Sequence, residues 1–217
     1  MPAVPLLLGL IRLRKLSSAQ RWMMGMLVMM LVMQVIGGIV GRKYLNSYPV
    51  FHVYVWLEFF FIAMVYRKEL FRLWSPLKTG ISVLIACFLC LGIADMALIN
   101  GPLKSPNYAR PIEMILVLLF GFSYFALTYR EMKIFFLECH FLFWFTAGTF
   151  FFFSFNILTY FLDNFLYENF PRVQSFFYPF HSITVVVLNC FYMVAITRKD
   201  PAHEGLEELL PSRTSLV

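Results

Sequence analysis

Three apolar stretches of this chain open on an aromatic, a proline and a titratable residue: Tyr48-Pro49-Val50-Phe51-His52, Tyr108-Ala109-Arg110-Pro111-Ile112-Glu113 and Tyr178-Pro179-Phe180-His181. Proline is tolerated in the first turn of a helix, where its missing N–H would have no partner. Each proline therefore predicts a helix start, with His52, Glu113 and His181 less than a turn inside it. Parallel helices would then hold these groups at one depth. Asp95 falls late in another apolar stretch and Asn156 late in a fifth. Glu58 lies nine residues beyond Pro49, about 13 Å at helical rise. Tyr54 is one turn above it on the same face and is its expected hydrogen-bond partner.

Ionisable residues in a membrane helix are costly, so they normally face a bundle interior, a water-filled cavity or a partner. The candidate ligand-binding set is His52, Tyr54, Glu58, Asp95, Glu113, Asn156 and His181. Three chemistries compete for it. One is a polar pocket that binds a headgroup or relays protons, with no cofactor. The second is a zinc-type metal centre drawn from His52, His181, Asp95 and Glu113, although no H-x-x-x-H or H-E-x-x-H pattern supports it. The third is a haem held by His52 and His181. Against all three stands a purely interfacial role, with side chains reaching toward lipid headgroups.

Such residues matter only because of the elements that carry them. The 217 residues are 60% hydrophobic and 19% aromatic. Only 14% are charged, against about 25% in soluble domains, and the mean hydropathy is +0.74. A soluble fold of this size could not bury so much apolar surface. The expected fold class is an all-α polytopic transmembrane helical bundle, forming one domain over 1–197 with a short polar tail over 198–217. Six spans are expected near Trp22–Gly41, Pro49–Tyr66, Thr79–Ile99, Pro111–Tyr129, Leu142–Leu162 and Phe177–Thr197. The segment between the last two, Asp163–Phe176, reads as a connection along the headgroups. Pro2–Ile11 is too short to span, and it precedes its positive charges rather than following them, unlike a signal peptide.

The +6 net charge lies between apolar segments, so it reads as topology signal and headgroup contact rather than a nucleic-acid surface. Of 18 Lys and Arg, about 13 fall on the side that holds both termini, which places the termini in the cytoplasm by the positive-inside rule. Trp22, Tyr66, Trp74, Tyr129 and Trp144 mark that interface; Tyr44, Tyr48, Tyr108, Tyr160 and Tyr178 mark the other. The His, Asp and Glu set then faces outward. The partners expected are the bilayer, a membrane partner protein or a second copy of the chain.

Other features read as packing. Cys87-x-x-Cys90 sits mid-helix with no βαβ context. Phe150–Phe153 and the Met-rich Met23–Met33 suit helix contacts. Gly37-x-x-x-Gly41 suits close helix approach. A retinal Schiff base lacks its lysine within a span. A P-loop, a Gly-rich dinucleotide turn and a voltage-sensor arginine ladder are also missing from the sequence.

Two stretches carry a resemblance. One is Pro49-Val50-Phe51-His52-Val53-Tyr54-Val55-Trp56-Leu57-Glu58-Phe59 followed by Tyr66-Arg67. The other is Phe143-Trp144-Phe145 with Gly148, then His181-Ser182-Ile183 and Leu188-Asn189. The chain resembles a group of small, uncharacterised bacterial multi-span proteins, and is similar to membrane segments found ahead of sensor histidine kinases. The resemblance implies a seven-helix sensing or accessory module of the inner (plasma) membrane, without catalytic residues. Its matching positions are His52, Glu58, Trp144, His181 and Asn189. The chain departs from it in having no kinase after the last span and only a short first helix; a start further upstream would make seven spans. The function expected is a binding, sensing or accessory module. The alternatives are a metal-dependent lipid hydrolase within the membrane and a small transporter acting as a homo-oligomer.

Overall fold

The computed structural model describes residues 2–13, 16–44, 46–73, 76–99, 101–104, 106, 108–131, 137–169 and 171–198. Within these, the side chains of 70–73, 76–78, 131, 137, 158–159, 161–169 and 171–178 are outside the description. Trp74, Phe170, the tail beyond Arg198, and the Phe165, Leu166, Tyr167 and Tyr178 side chains therefore lie outside the described residues.

The chain folds as an all-α bundle. Its helices are α1 (Ala3–Ile11), α2 (Ser18–Tyr44), α3 (Tyr48–Leu73), α4 (Pro76–Ala94), α5 (Ala109–Glu131), α6 (Phe141–Asn169) and α7 (Pro171–Thr197). A π-helical turn, Asp95–Ile99, extends α4. Ser18–Tyr44, Tyr48–Glu69, Thr79–Ile99, Ala109–Arg130 and Pro179–Thr197 are each long and apolar enough to cross a membrane, and Phe141–Ile157 is the apolar described part of the 29-residue α6.

Successive long helices run antiparallel. Call the end where α3, α5 and α7 begin the upper end. Around the bundle α2 packs on α3, α3 on α5, α5 on α6 and α6 on α7, while α4 lies outside against α3. The short α1 closes the ring by packing on both α7 and α2.

Local chemistry pins both ends. At the lower end Ser17 and Gln20 form a reciprocal cap on α2: Ser17 N–H donates to Gln20 Oε1 at 2.9 Å, and Gln20 N–H to Ser17 Oγ at 3.3 Å. The Gln20 amide then donates to the Ala195 and Arg198 carbonyls, and Arg12 donates to the Thr197 carbonyl. Carbonyls in and just beyond the last turn of α7 are thus bonded by the α1–α2 corner. At the upper end Asn46 Oδ1 accepts the Tyr48 N–H at 2.8 Å and its amide donates to the Leu103 carbonyl. Asp95 Oδ2 accepts the Ala109 N–H, capping α5 from the end of α4.

Two expectations are corrected. Pro49 and Pro111 do lie in first turns, but Pro179 lies inside α7. The helix begins two turns earlier at Pro171, a second proline that satisfies the same first-turn rule. Consequently Asp163–Phe176 is no loop. The backbone is helical from 163 to 169 and again from 171. Membrane helices tolerate an internal proline because neighbouring groups can re-satisfy the freed carbonyl.

The small residues that permit close approach are not the expected pair. A Cβ at Gly37 or Gly41 would meet only ordinary contacts at 3.8 and 3.7 Å. A Cβ at Gly148 would lie 2.6 Å from Phe191 Cβ, where α6 meets α7. Gly148→Val is therefore expected to destabilise the bundle by about 1–3 kcal/mol through overpacking, read as a lowered midpoint of thermal unfolding in detergent. A midpoint equal to wild type would show that α6 and α7 are not so close.

A candidate buried polar cavity

The polar centre is built on α3 and α5. Glu58, the eleventh residue of α3, accepts a hydrogen bond from Tyr54 O–H at Oε1 (2.8 Å) and pairs through Oε2 with Arg110 Nη1. The same Nη1 donates to Glu113 Oε2 at 2.6 Å. All three charged side chains are 3% exposed or less. Glu113 follows Arg110 by three residues, the spacing that puts two side chains on one face of a helix.

Arg110 is the second residue of α5 yet reaches Glu58, ten residues and about 15 Å down α3. So α5 begins inside the bundle rather than at its rim. The connection before it dips in as well: the His52 ring nitrogen Nε2 lies 3.0 Å from the Lys104 carbonyl. A carbonyl only accepts, so Nε2 carries the proton and donates.

Four rings surround the guanidinium. Their centroids lie 5.8 Å (Phe51), 5.7 Å (Tyr54), 5.7 Å (Phe153) and 5.0 Å (Tyr160) from Arg110 Cζ. Cation–π attraction strengthens when the cation is desolvated, and it helps hold Arg110 here. Tyr160 also meets the His181 ring edge-on, with centroids 5.9 Å apart.

A second network links α6 to α7. Asn156 Nδ2 donates to the Phe152 carbonyl (2.8 Å) and to Thr184 Oγ1 (2.9 Å), and Thr184 donates to the His181 carbonyl (2.8 Å). With its amide nitrogen so placed, Asn156 can only accept at Oδ1. His181 Nδ1, 2.8 Å away, must therefore be the donor. In the neutral ring this tautomer makes Nε2 an acceptor.

Tyr54, Glu58, Arg110, Tyr160 and His181 all line one cavity of about 510 Å³. Ser182, Asn189 and Tyr192 of α7, Gln34 of α2 and Ser47 complete its polar lining. The apolar wall comes from Met30, Met33, Val50, Phe51, Phe152, Val185, Val186 and Leu188, with Pro2 at the top of α1. This is the size range of small-molecule sites, and an apolar lining with a few convergent polar groups is their usual chemistry.

The candidates read from sequence divide accordingly. Tyr54, Glu58 and His181 line the cavity, Glu113 supports it through Arg110, and Asn156 orients His181. His52 is engaged with the Lys104 carbonyl and Asp95 with the start of α5. His52, Asp95, Glu113 and His181 thus serve separate partners. Among the described residues no three His, Cys, Asp or Glu side chains form a group that could hold a metal ion. The residue that sequence reasoning missed is Arg110. A span begun at Pro111 leaves it outside, yet it sits in the first turn of α5 with an acid three residues on, and that spacing is its signal.

Comparison with protein families, characterised proteins and solved structures finds no match.

Proposed function

We propose that this chain is an integral membrane binding module, of sensing or accessory kind, whose cavity receives a small polar or lipid-like ligand. One observation carries the reading. A 510 Å³ cavity in a predominantly apolar bundle is lined by Glu58 and Arg110 of a buried Glu–Arg–Glu cluster. A cluster serving only to join helices would not need a cavity beside it. The Lys and Arg distribution supports an upper end that faces outward from the cytoplasm, so the ligand would come from the outer leaflet or beyond it. Signalling would then pass to a membrane partner protein or to a second copy of the chain.

The test is native mass spectrometry of protein released from mild detergent, wild type beside Gly37→Phe. Gly37 lines the cavity, and a Cβ there has only Val50 within 4 Å. A phenylalanine can therefore enter the cavity without breaking a helix contact. Wild type is expected to carry a bound small molecule that the folded variant lacks. Equal retention by both proteins, or no bound molecule in wild type, would overturn the reading.

A further inference from the structure

The cavity has an open side. The short α1 packs on both α2 and α7, which have little direct contact with each other among the described residues. Its last turn is held at the lower end, where Arg12 bonds the Thr197 carbonyl. Nine residues carry it only about 13 Å upward. Above Pro2 two stripes face each other across the gap: Met30, Met33 and Gly37 at helical spacing on α2, and Ser182, Val185 and Val186 on α7. Gln34, Ser182 and Val186 are exposed, so the rim of the cavity opens sideways, toward the hydrocarbon layer.

The cavity is polar at one level and mainly apolar beneath it. Gly37 lies beside Val50, so Gln34 on α2 stands level with Tyr54 on α3, about 5 Å further down. The Tyr54 ring centroid is 5.7 Å from Arg110 Cζ. Tyr160 touches both Arg110, at 5.0 Å, and the His181 ring, at 5.9 Å. Gln34, Arg110, Tyr160 and His181 therefore share one layer. Below it the wall descends through Met33, Met30, Val185 and Leu188 to Asn189 and Tyr192. A lipid of the upper leaflet has the same order, head above chain, so it can slide in without turning over and without its chain meeting water.

The head layer asks for donors and acceptors together. Arg110 Nε–H is buried with no partner among the described residues, and it needs an oxygen. His181, with its proton on Nδ1, presents Nε2 as an acceptor. Gln34 makes no hydrogen bond to the described residues, and its amide offers both. The charged groups are already matched: Arg110 Nη1 lies between Glu58 and Glu113, and Glu58 also accepts from Tyr54. A head of either charge would give up its hydration without meeting an unmatched counter-ion. An ammonium only donates, and a phosphate chiefly accepts. A hydroxylated ester does both while uncharged.

Resting on the binding-module reading above, we propose that the ligand is a single-chain lipid with an uncharged, hydroxylated ester head, of the monoacylglycerol class. It enters between α2 and α7 above α1. Its head lies in the layer of Gln34, Arg110 and His181, and its chain runs down past Met33, Met30 and Val185.

The experiment is equilibrium binding of monopalmitoylglycerol, hexadecyl phosphate and hexadecylamine to the full chain in phosphatidylcholine nanodiscs. Empty nanodiscs correct for partition into lipid. The glycerol ester is expected to bind about tenfold or more tighter than either charged lipid. Gln34→Leu should weaken it about tenfold and leave thermal unfolding unchanged; equal binding by this variant would overturn the head layer. A glycerol ester carrying a diazirine at its chain end should label α2 and α7 below Gln34 and Ser182, and Gly37→Phe should abolish both binding and label. Labelling confined to other helices, or undiminished in Gly37→Phe, would overturn the side entry. Either charged lipid binding as tightly as the ester would overturn the head-group assignment and leave the cavity a binding site. If wild type binds none of the three, the assignment falls, and the binding-module reading falls with it only if native spectra also show nothing bound.

Discussion

Arg110→Leu is expected to destabilise the protein by about 3–5 kcal/mol, the usual consequence of removing one partner from a buried ion pair. Glu58 and Glu113 both bond the same guanidinium nitrogen, so without it two buried carboxylates face each other. The Tyr54 hydroxyl would remain as partner for one oxygen of Glu58. The penalty comes mainly from stranded charge rather than lost attraction. It follows that the triple variant Arg110→Leu, Glu58→Gln, Glu113→Gln should recover most of the stability, because an uncharged replacement of a buried network is often close to neutral. Thermal unfolding followed by circular dichroism in detergent would measure both. A single variant as stable as wild type would refute the three-way cluster. A triple variant no better than the single one would refute the stranded-charge account.

The second large effect is expected at Asn156. Asn156→Leu keeps the approximate shape but removes hydrogen bonds to the Phe152 carbonyl, to Thr184 and to His181. The Phe152 carbonyl keeps its place in the helix ladder, but His181 Nδ1–H loses its acceptor. An unsatisfied donor costs about 1–3 kcal/mol when fully buried; His181 is half-buried at the cavity wall, so a loss of about 1 kcal/mol, the low end of that range, is expected. The more specific consequence concerns the ring. Among the described residues Asn156 Oδ1 is the one partner shown for Nδ1, so without it the Nδ1–H tautomer is no longer selected there and Nε2 is no longer reserved as an acceptor toward the cavity. Nitrogen NMR of labelled His181 should show the Nδ1–H form in wild type and a mixture in the variant. Thr184→Val is the control: it removes one hydrogen bond of the network and leaves the Asn156–His181 contact. An unchanged His181 spectrum in Asn156→Leu would sink the argument.

The placement of individual residues shows where sequence reading works and where it stops. Hydropathy identified the long apolar helices because a bilayer demands about 20 apolar residues per crossing. The Tyr54–Glu58 hydrogen bond joins residues four apart on one helix, and the helical repeat alone predicts that they meet. The same holds for Arg110 and Glu113, where the spacing is present although a span begun at Pro111 leaves the arginine outside the helix. His181 shows the opposite case. The sequence reading starts the helix at Pro179, whereas Pro171, two turns earlier, is its first residue, so His181 lies about 15 Å along α7 rather than near its first turn.

The sequence by itself determined an all-α bundle of membrane-spanning helices, and it determined which residues share a face within one helix. Both follow from local physics: the length of an apolar run and the 3.6-residue repeat. Only the tertiary structure decided that α5 starts deep enough for Arg110 to reach Glu58 on another helix. It likewise decided that His181 and Glu58 border one cavity while His52 is turned to the Lys104 carbonyl. Nor does any spacing along the chain encode the gap between α2 and α7 that α1 fills only in part. The physical reason is the same in each case. The angle and depth at which two helices pack depend on side-chain contacts between distant segments, and the repeat of one helix carries no information about the vertical offset of its neighbour.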